Sequence, residues 1–236
     1  MDTQDQVRFI VGCRNGVSKV REFIVQLLTE TGSRTDLTAV QVTATGLLDR
    51  ASCWLATLEA LDRPMHYQGH LSALRSMIEI AVDLSLLCIE PSRNTQLEAW
   101  ELSAKYWHAK AFAEYAASAT TKQLLDPSHA ALFIADHEVE VKAARAQYWN
   151  GAGHPPRWTS NTLIADVEIV DTRFPKMQLL RLYQGLYRYL CFMTHGSALA
   201  GRRGSPADQI LTPIGIALQE CSNLALAIVE CVFRPS

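Results

Sequence analysis

The sequence predicts an all-α fold, a single-domain bundle of about seven to eight helices spanning residues 1–236. Three observations carry this expectation. Prolines at 64, 91, 127, 155, 156, 175, 206, 213 and 235 bound long stretches in which apolar residues recur at helical spacing. No segment shows the apolar–polar alternation expected of several half-buried strands. Hydrophobic residues make up 48% and charged residues 19%, a balance that supports a core and carries no disorder signature.

The elements follow in order. Residues of about 6–31 predict a first helix, with Phe9, Ile10, Val17, Val20, Phe23, Ile24 and Leu27 on one side and Gly32 as its stop. A second runs from the Asp36 region to about Asp62, burying Val40, Val42, Leu47, Leu48, Trp54, Leu55 and Leu58. A third follows Pro64 and reaches Cys88 or Ile89, ending before Pro91. A fourth spans roughly 93–123 and a fifth about 127–149, started by Asp126-Pro127 as a cap with proline in the first turn. Residues 150–160 form a breaker-rich loop, then come a short helix at about 161–170 and a long one from Pro175 to Thr194. The last helix begins near Ser205-Pro206-Ala207-Asp208, or at Thr212-Pro213, and ends before Pro235.

Composition narrows the setting. The formal net charge of −2 describes neither a polycation nor an acidic tail. The acidic start Met1-Asp2-Thr3-Gln4-Asp5 lacks a signal sequence, and the most apolar stretch, Ile214 to Phe233, is interrupted by Gln219, Glu220, Asn223 and Glu230. Six scattered cysteines show no Cys-x-x-Cys pair and read as small buried hydrophobes in a reducing compartment. The expectation is a soluble cytoplasmic protein with no membrane span, no metal site and no cofactor.

Two segments carry candidate chemistry. The third helix is apolar all round, through Leu74, Met77, Ile78, Ile80, Ala81, Val82, Leu84, Leu86 and Leu87, and is expected to be central. Yet it holds Arg75, Glu79 and Asp83 at i, i+4 and i+8, along one stripe. Buried charges must pair or line a wet cavity, so this stripe is either a structural ion-pair network or a polar site. The second segment runs from Thr172 to Ala207. It contains none of the 24 acidic residues but six of the 22 basic ones: Arg173, Lys176, Arg181, Arg188, Arg202 and Arg203. Such asymmetry suggests an anionic partner unless neighbouring acidic helices neutralise it, with Arg181, Arg202 and Arg203 as anion-binding candidates.

Arg181, Arg188 and His195 recur every seven residues, close to two helical turns, and are expected on one face. A histidine that exchanges protons near neutral pH and an arginine that grips a phosphoryl oxygen are the minimum equipment for cutting RNA without metal. The imidazole of His195 would help activate the 2′-hydroxyl, and Arg188 would stabilise charge on the pentavalent phosphate.

The stretch Arg188-Tyr-Leu-Cys-Phe-Met-Thr-His195 resembles the R-x4-6-H motif of the HEPN superfamily, small α-helical proteins that include dimeric ribonucleases of defence and toxin–antitoxin systems. Leu74-Arg75-Ser76-Met77-Ile78-Glu79 is similar to the L-R-x-x-x-E helix of HEPN-like bacterial families. A group of bacterial proteins shares the layout of an Arg/Glu helix, a tryptophan-led helix start (here Trp158-Thr159-Ser160) and a Tyr-Arg…His-Gly-Ser segment. The likeness covers about residues 65–200. It implies an RNA-directed protein, a metal-independent endoribonuclease with Arg188 and His195 as catalytic pair, Arg75 and Glu79 orienting the site, and a homodimer. The chain departs from the pattern in carrying a full helix after the motif, and many HEPN-like proteins only bind. Two other classes therefore stay open: a non-catalytic helical protein with a protein partner, and a small-molecule enzyme or binder with a central polar pocket.

Other signals are weaker. His66 and His70 have the i, i+4 spacing of a metal pair but read as a coincidental surface pair beside Pro64 and Gly69. Asp136-His137-Glu138-Val139-Glu140 reads as a solvated face. The loop around Trp158 is a lid or, more commonly, a rigid connection with its tryptophan packed down, and Trp100, Tyr106 and Trp107 read as core or interface anchors. No phosphate-cradling glycine loop or nucleophile elbow is present.

Overall fold

The computed structural model describes residues 3–62, 66–118, 125–151, 155, 157–194 and 207–233, and among them every regular element is helical. The fold is all-α. The helices are α1 (Thr3–Gly32), α2 (Ala39–Ala60), α3 (Tyr67–Ile89), α4 (Asn94–Ala116), α5 (Ser128–Trp149), α6 (Leu163–Arg173), α7 (Leu179–Leu182), α8 (Arg188–Thr194) and α9 (Ala207–Phe233). Short 3-10 turns occupy Pro91–Arg93 and Pro175–Met177, and a π-helical turn, Tyr183–Tyr187, joins α7 to α8. Chain contacts divide these elements into two compact units, Met1–Pro91 with Ile164–Ser236, and Ser92–Leu163.

In the first unit α3 is the central helix. Its most extensive pairing is with α9, and it also packs on α2 and α8, while α1 lies against α2 and α9. Every apolar residue expected to be buried around α3, from Leu74 to Leu87, is buried. The seam of α1 runs through Ile10, Cys13, Val17, Val20 and Ile24, a clean 3-4-3-4 spacing. Phe9 and Phe23, expected in that seam, are instead 42% and 45% exposed because they lie one residue, about 100°, to its side. Phe9 leans on α9 at Gly215, where an added Cβ would stand 2.6 Å from the ring. On α2, Leu47, Leu48, Leu55 and Leu58 are buried as expected, but Val42 is 57% exposed in the first turn. A capping box opens α2: the Thr38 hydroxyl accepts from the Gln41 backbone N–H at 3.3 Å, and the Gln41 side chain accepts from the Thr38 N–H at 2.9 Å.

The α9 stretch Leu211–Glu230 is long and apolar enough to cross a membrane by length and composition alone, yet 56% of it is buried inside the fold. Ile214, Leu218, Cys221, Leu224, Ala225 and Ile228 form that inward face, so packing against α3 and α1 accounts for the apolarity. Of the two expected starts for this helix, the earlier holds, and Pro213 sits inside it.

The second unit is a helical hairpin. Tyr148, near the end of α5, donates to the Thr95 hydroxyl near the start of α4, so the two helices run antiparallel. α5 starts one residue later than expected, with Pro127 rather than Asp126 at the cap position; Asp126 still accepts the Ser128 backbone N–H at 2.9 Å, and bonding to Ser128 holds its carboxyl below the usual carboxylate range. The chain leaves α5 through Asn150 and Gly151 at positive φ (52° and 71°). The Trp158 side chain is then fully buried beneath the Arg93 guanidinium, 5.0 Å above its ring. The Trp158 carbonyl accepts from Gln96 Nε2 at 2.7 Å and from Trp149 Nε1 at 3.3 Å, while Trp100 Nε1 donates to the Pro155 carbonyl at 2.9 Å. Among the described residues of the loop, then, the tryptophan is packed down as a rigid connection.

Candidate functional site

Burial of nearly the whole circumference of α3 leaves one strip partly open, and Arg75, Glu79 and Asp83 occupy it. The stripe is thus the wet edge of the central helix rather than a set of sealed charges: the Arg75 and Glu79 side chains are 31% and 35% exposed. Arg75 Nε donates to Glu79 Oε1 at 3.2 Å, the i, i+4 pairing anticipated from the spacing. The same oxygen accepts the phenolic O–H of Tyr187, from the last position of the π turn. Arg75 also lies over the Tyr187 ring, 5.8 Å from its centroid, and the Tyr183 ring stacks on Tyr187 at 5.1 Å with the planes 16° apart.

Electrostatics shift the titration of Tyr187 and Arg75. Burial pushes the Tyr187 phenol well above its ordinary value, and the Glu79 carboxylate pushes it further, so Tyr187 remains a donor at neutral pH. Burial pulls the Arg75 guanidinium down, but Tyr187 and Glu79 outweigh it and leave Arg75 more firmly cationic than usual.

The expected helix from Pro175 to Thr194 is not continuous. It begins as a 3-10 turn, passes Gln178 in the left-handed region at φ 51°, and widens into the π turn before α8. A π turn closes i to i+5 and so takes up one more residue than an α turn. One residue is about 100° of rotation, so Arg181 and Arg188 do not share the face that a seven-residue repeat assigns them. Both are exposed, and Arg181 donates to the Gln178 side chain at 2.9 Å. Arg188 opens α8 directly after Tyr187, and its side chain is exposed where that of Tyr187 is buried against α3. Asp83 stands half-buried one turn further along α3. His195, Arg202 and Arg203 lie outside the described residues.

Tyr187 is the residue that sequence reasoning missed. The one available signal was the aromatic pair Tyr183 and Tyr187 at i, i+4 within the basic segment.

His70 corrects a second reading. It is fully buried rather than at the surface, with Nδ1 against the His66 carbonyl at 3.1 Å, so the pair does not present two imidazoles to one ion. Among the described residues no three His, Cys, Asp or Glu side chains cluster as metal ligands. Cys13, Cys53 and Cys221 are free thiols.

Residues 46–206, about two thirds of the chain, match a family of unknown function, DUF5677. No curated protein and no solved structure matches the chain. The matched span takes in the Arg75–Glu79 pair, the π turn with Tyr187, and Arg188. With its central helix and all six basic residues of the Thr172–Ala207 segment inside that span, the chain belongs to the family of unknown function DUF5677.

Proposed function

We propose that the protein is an RNA-directed, HEPN-like protein acting as a metal-independent endoribonuclease, cytoplasmic and homodimeric. The observation that carries this reading is the Tyr187 bridge. It bonds the residue that precedes the exposed Arg188 to Glu79 of the Arg75–Glu79 pair, and so supports bringing together the two segments on which the resemblance rests. The lack of any acidic residue from Thr172 to Ala207 supports a polyanionic partner. The free thiols of Cys13, Cys53 and Cys221 suit a reducing compartment.

In this mechanism Arg188 holds a non-bridging phosphate oxygen through its donor fork and stabilises the charge that grows there. His195 takes the proton of the ribose 2′-hydroxyl as that oxygen attacks phosphorus, the P–O5′ bond breaks, and the departing 5′-oxygen of the next nucleotide takes its proton from water. The products carry a 2′,3′-cyclic phosphate and a 5′-hydroxyl. Glu79 is engaged by both Arg75 and Tyr187, so these three position the arginine and exchange no protons with substrate. That engagement also favours a second reading, RNA binding without cleavage, in which the cluster serves only to hold α8.

The test is incubation of labelled single-stranded RNA and transfer RNA with the protein in EDTA, beside His195→Ala. The expected result is cleavage by the wild type with 2′,3′-cyclic ends, lost in the variant. Undiminished cleavage by His195→Ala removes the assigned mechanism. Retention of RNA without any cleavage selects the second reading.

A further inference from the structure

A groove of about 600 Å³ opens between the stretch from Lys176 to Leu186 and the α9 residues from Ile216 to Ala227. That volume is typical of a small-molecule site. Lys176, Gln178 and Arg181 supply the polar groups of one wall, and Glu220 and Asn223 those of the other. Met177, Leu182, Leu186, Ile216 and Leu224 provide apolar surface between them. Each wall satisfies itself locally: Arg181 donates to Gln178 at 2.9 Å, and Asn223 donates to Glu220 at 3.3 Å. Among the described residues no ion pair joins Arg181 or Lys176 to Glu220 across the gap. Both signs of charge therefore face one cavity without cancelling each other.

A cavity of this kind selects its ligand by three features at once. The cations ask for an anionic group, the apolar surface for a flat or hydrocarbon body, and the carboxylate for an N–H donor beyond it. A simple phosphate leaves the apolar surface bare. A fatty acid sets its tail against Glu220 and desolvates that carboxylate with only the 3.3 Å bond from Asn223 to offset the loss of water. A nucleotide whose base carries an exocyclic amine meets all three demands.

We propose that this groove holds one such nucleotide unit: phosphate at Arg181 and Lys176, base across Leu182, Leu186 and Ile216, and the amine donating to Glu220. Carboxylate acceptance from the cytosine amine is an established mode of base reading. Glu220 is then the specificity-determining residue of the groove, favouring cytosine or adenine over uracil. The inference deepens the RNA-directed reading and rests on it for the choice of a nucleotide over other amphipathic anions.

The experiment is calorimetric titration of the full chain with cytidine and uridine 5′-monophosphates, which differ at the amine, and with short oligo(C) and oligo(U). Wild type is expected to prefer the cytidine ligands. Arg181→Ala should weaken both mononucleotides about tenfold, the loss of one charge-assisted contact. Glu220→Gln should weaken cytidine binding alone, by about tenfold, and bring it level with uridine. Arg181 is exposed and Glu220 only half-buried, so both variants should fold, which circular dichroism checks. Equal binding of the two mononucleotides, or variants that bind as wild type does, overturns the proposal. If RNA is cleaved while nucleotide binding ignores both substitutions, the groove assignment fails and the ribonuclease reading stands. If the mononucleotides follow the expected pattern but no RNA is cut, the groove assignment stands and the ribonuclease reading falls. Mononucleotide binding without oligonucleotide binding assigns the groove to a free nucleotide.

Discussion

Glu79 receives an arginine from its own helix and a tyrosine from a helical turn 108 residues later in the chain. The first partner was legible in the sequence, because i, i+4 spacing on a helix is a local rule. The second was not, since no local pattern reports a contact made only when α3 and the π turn pack together. His70 belongs to the same class: its i, i+4 relation to His66 is visible, while its complete burial comes from tertiary packing. Its titration gives a prediction at this scale. Burial holds the His70 pKa below 6.5, the ordinary histidine value, so the unfolded chain takes up this proton at a higher pH than the folded one does. Stability is then unaffected by this group above about pH 7 and falls as the pH drops below about 6.5 toward the folded value. Urea midpoints measured from pH 7.5 down to 5.0 should show this fall, and His70→Gln should flatten the part of the slope due to the residue. An unchanged slope in that variant would show that His70 is not a source of acid sensitivity.

At the scale of the element, periodicity placed most helices within a few residues, because proline stops and apolar faces act locally. The tract from Pro175 to Thr194 is the exception. Its breaks are Gln178 in a left-handed conformation, rare for a residue with a side chain, and a π turn whose aromatic stacking matters only once Tyr187 has a partner on α3. Neither break leaves a recognisable mark in composition. The start of α2 shows the contrary case, in which a few residues suffice. Thr38 and Gln41 close a reciprocal cap, and Thr38→Ala should cost about 1 kcal/mol. In a chain of this length that is roughly 2–4 °C in melting temperature, measured by circular dichroism. A shift smaller than half a degree would mean that solvent replaces the cap without loss.

At the scale of the molecule, the two compact units rest on different anchors. The first is held by interlocked aliphatic side chains of α3 and α9, the second by the α4–α5 pairing together with Trp158, whose ring is buried and whose carbonyl takes two hydrogen bonds. Trp158→Ala should cost about 3–5 kcal/mol, as large-to-small changes at buried aromatics do. The loss should appear as faster amide hydrogen exchange across α4 and α5, and protection equal to wild type there would refute the anchoring role. The tryptophan-led start Trp158-Thr159-Ser160 was visible in the sequence; what it closes was not, because Gln96 and Arg93 reach it from some 60 residues upstream. The π turn carries a last consequence for reading the family. It is the footprint of one surplus residue, and a deletion anywhere from 183 to 187 would let the helix close into ordinary α geometry. Tyr187 and Arg188 would then turn by about 100° relative to α7, while the count of residues from Arg188 to His195 stayed the same. A single-residue gap in an alignment, and not the motif itself, is therefore the mark that separates members built like this chain from members that only spell like it.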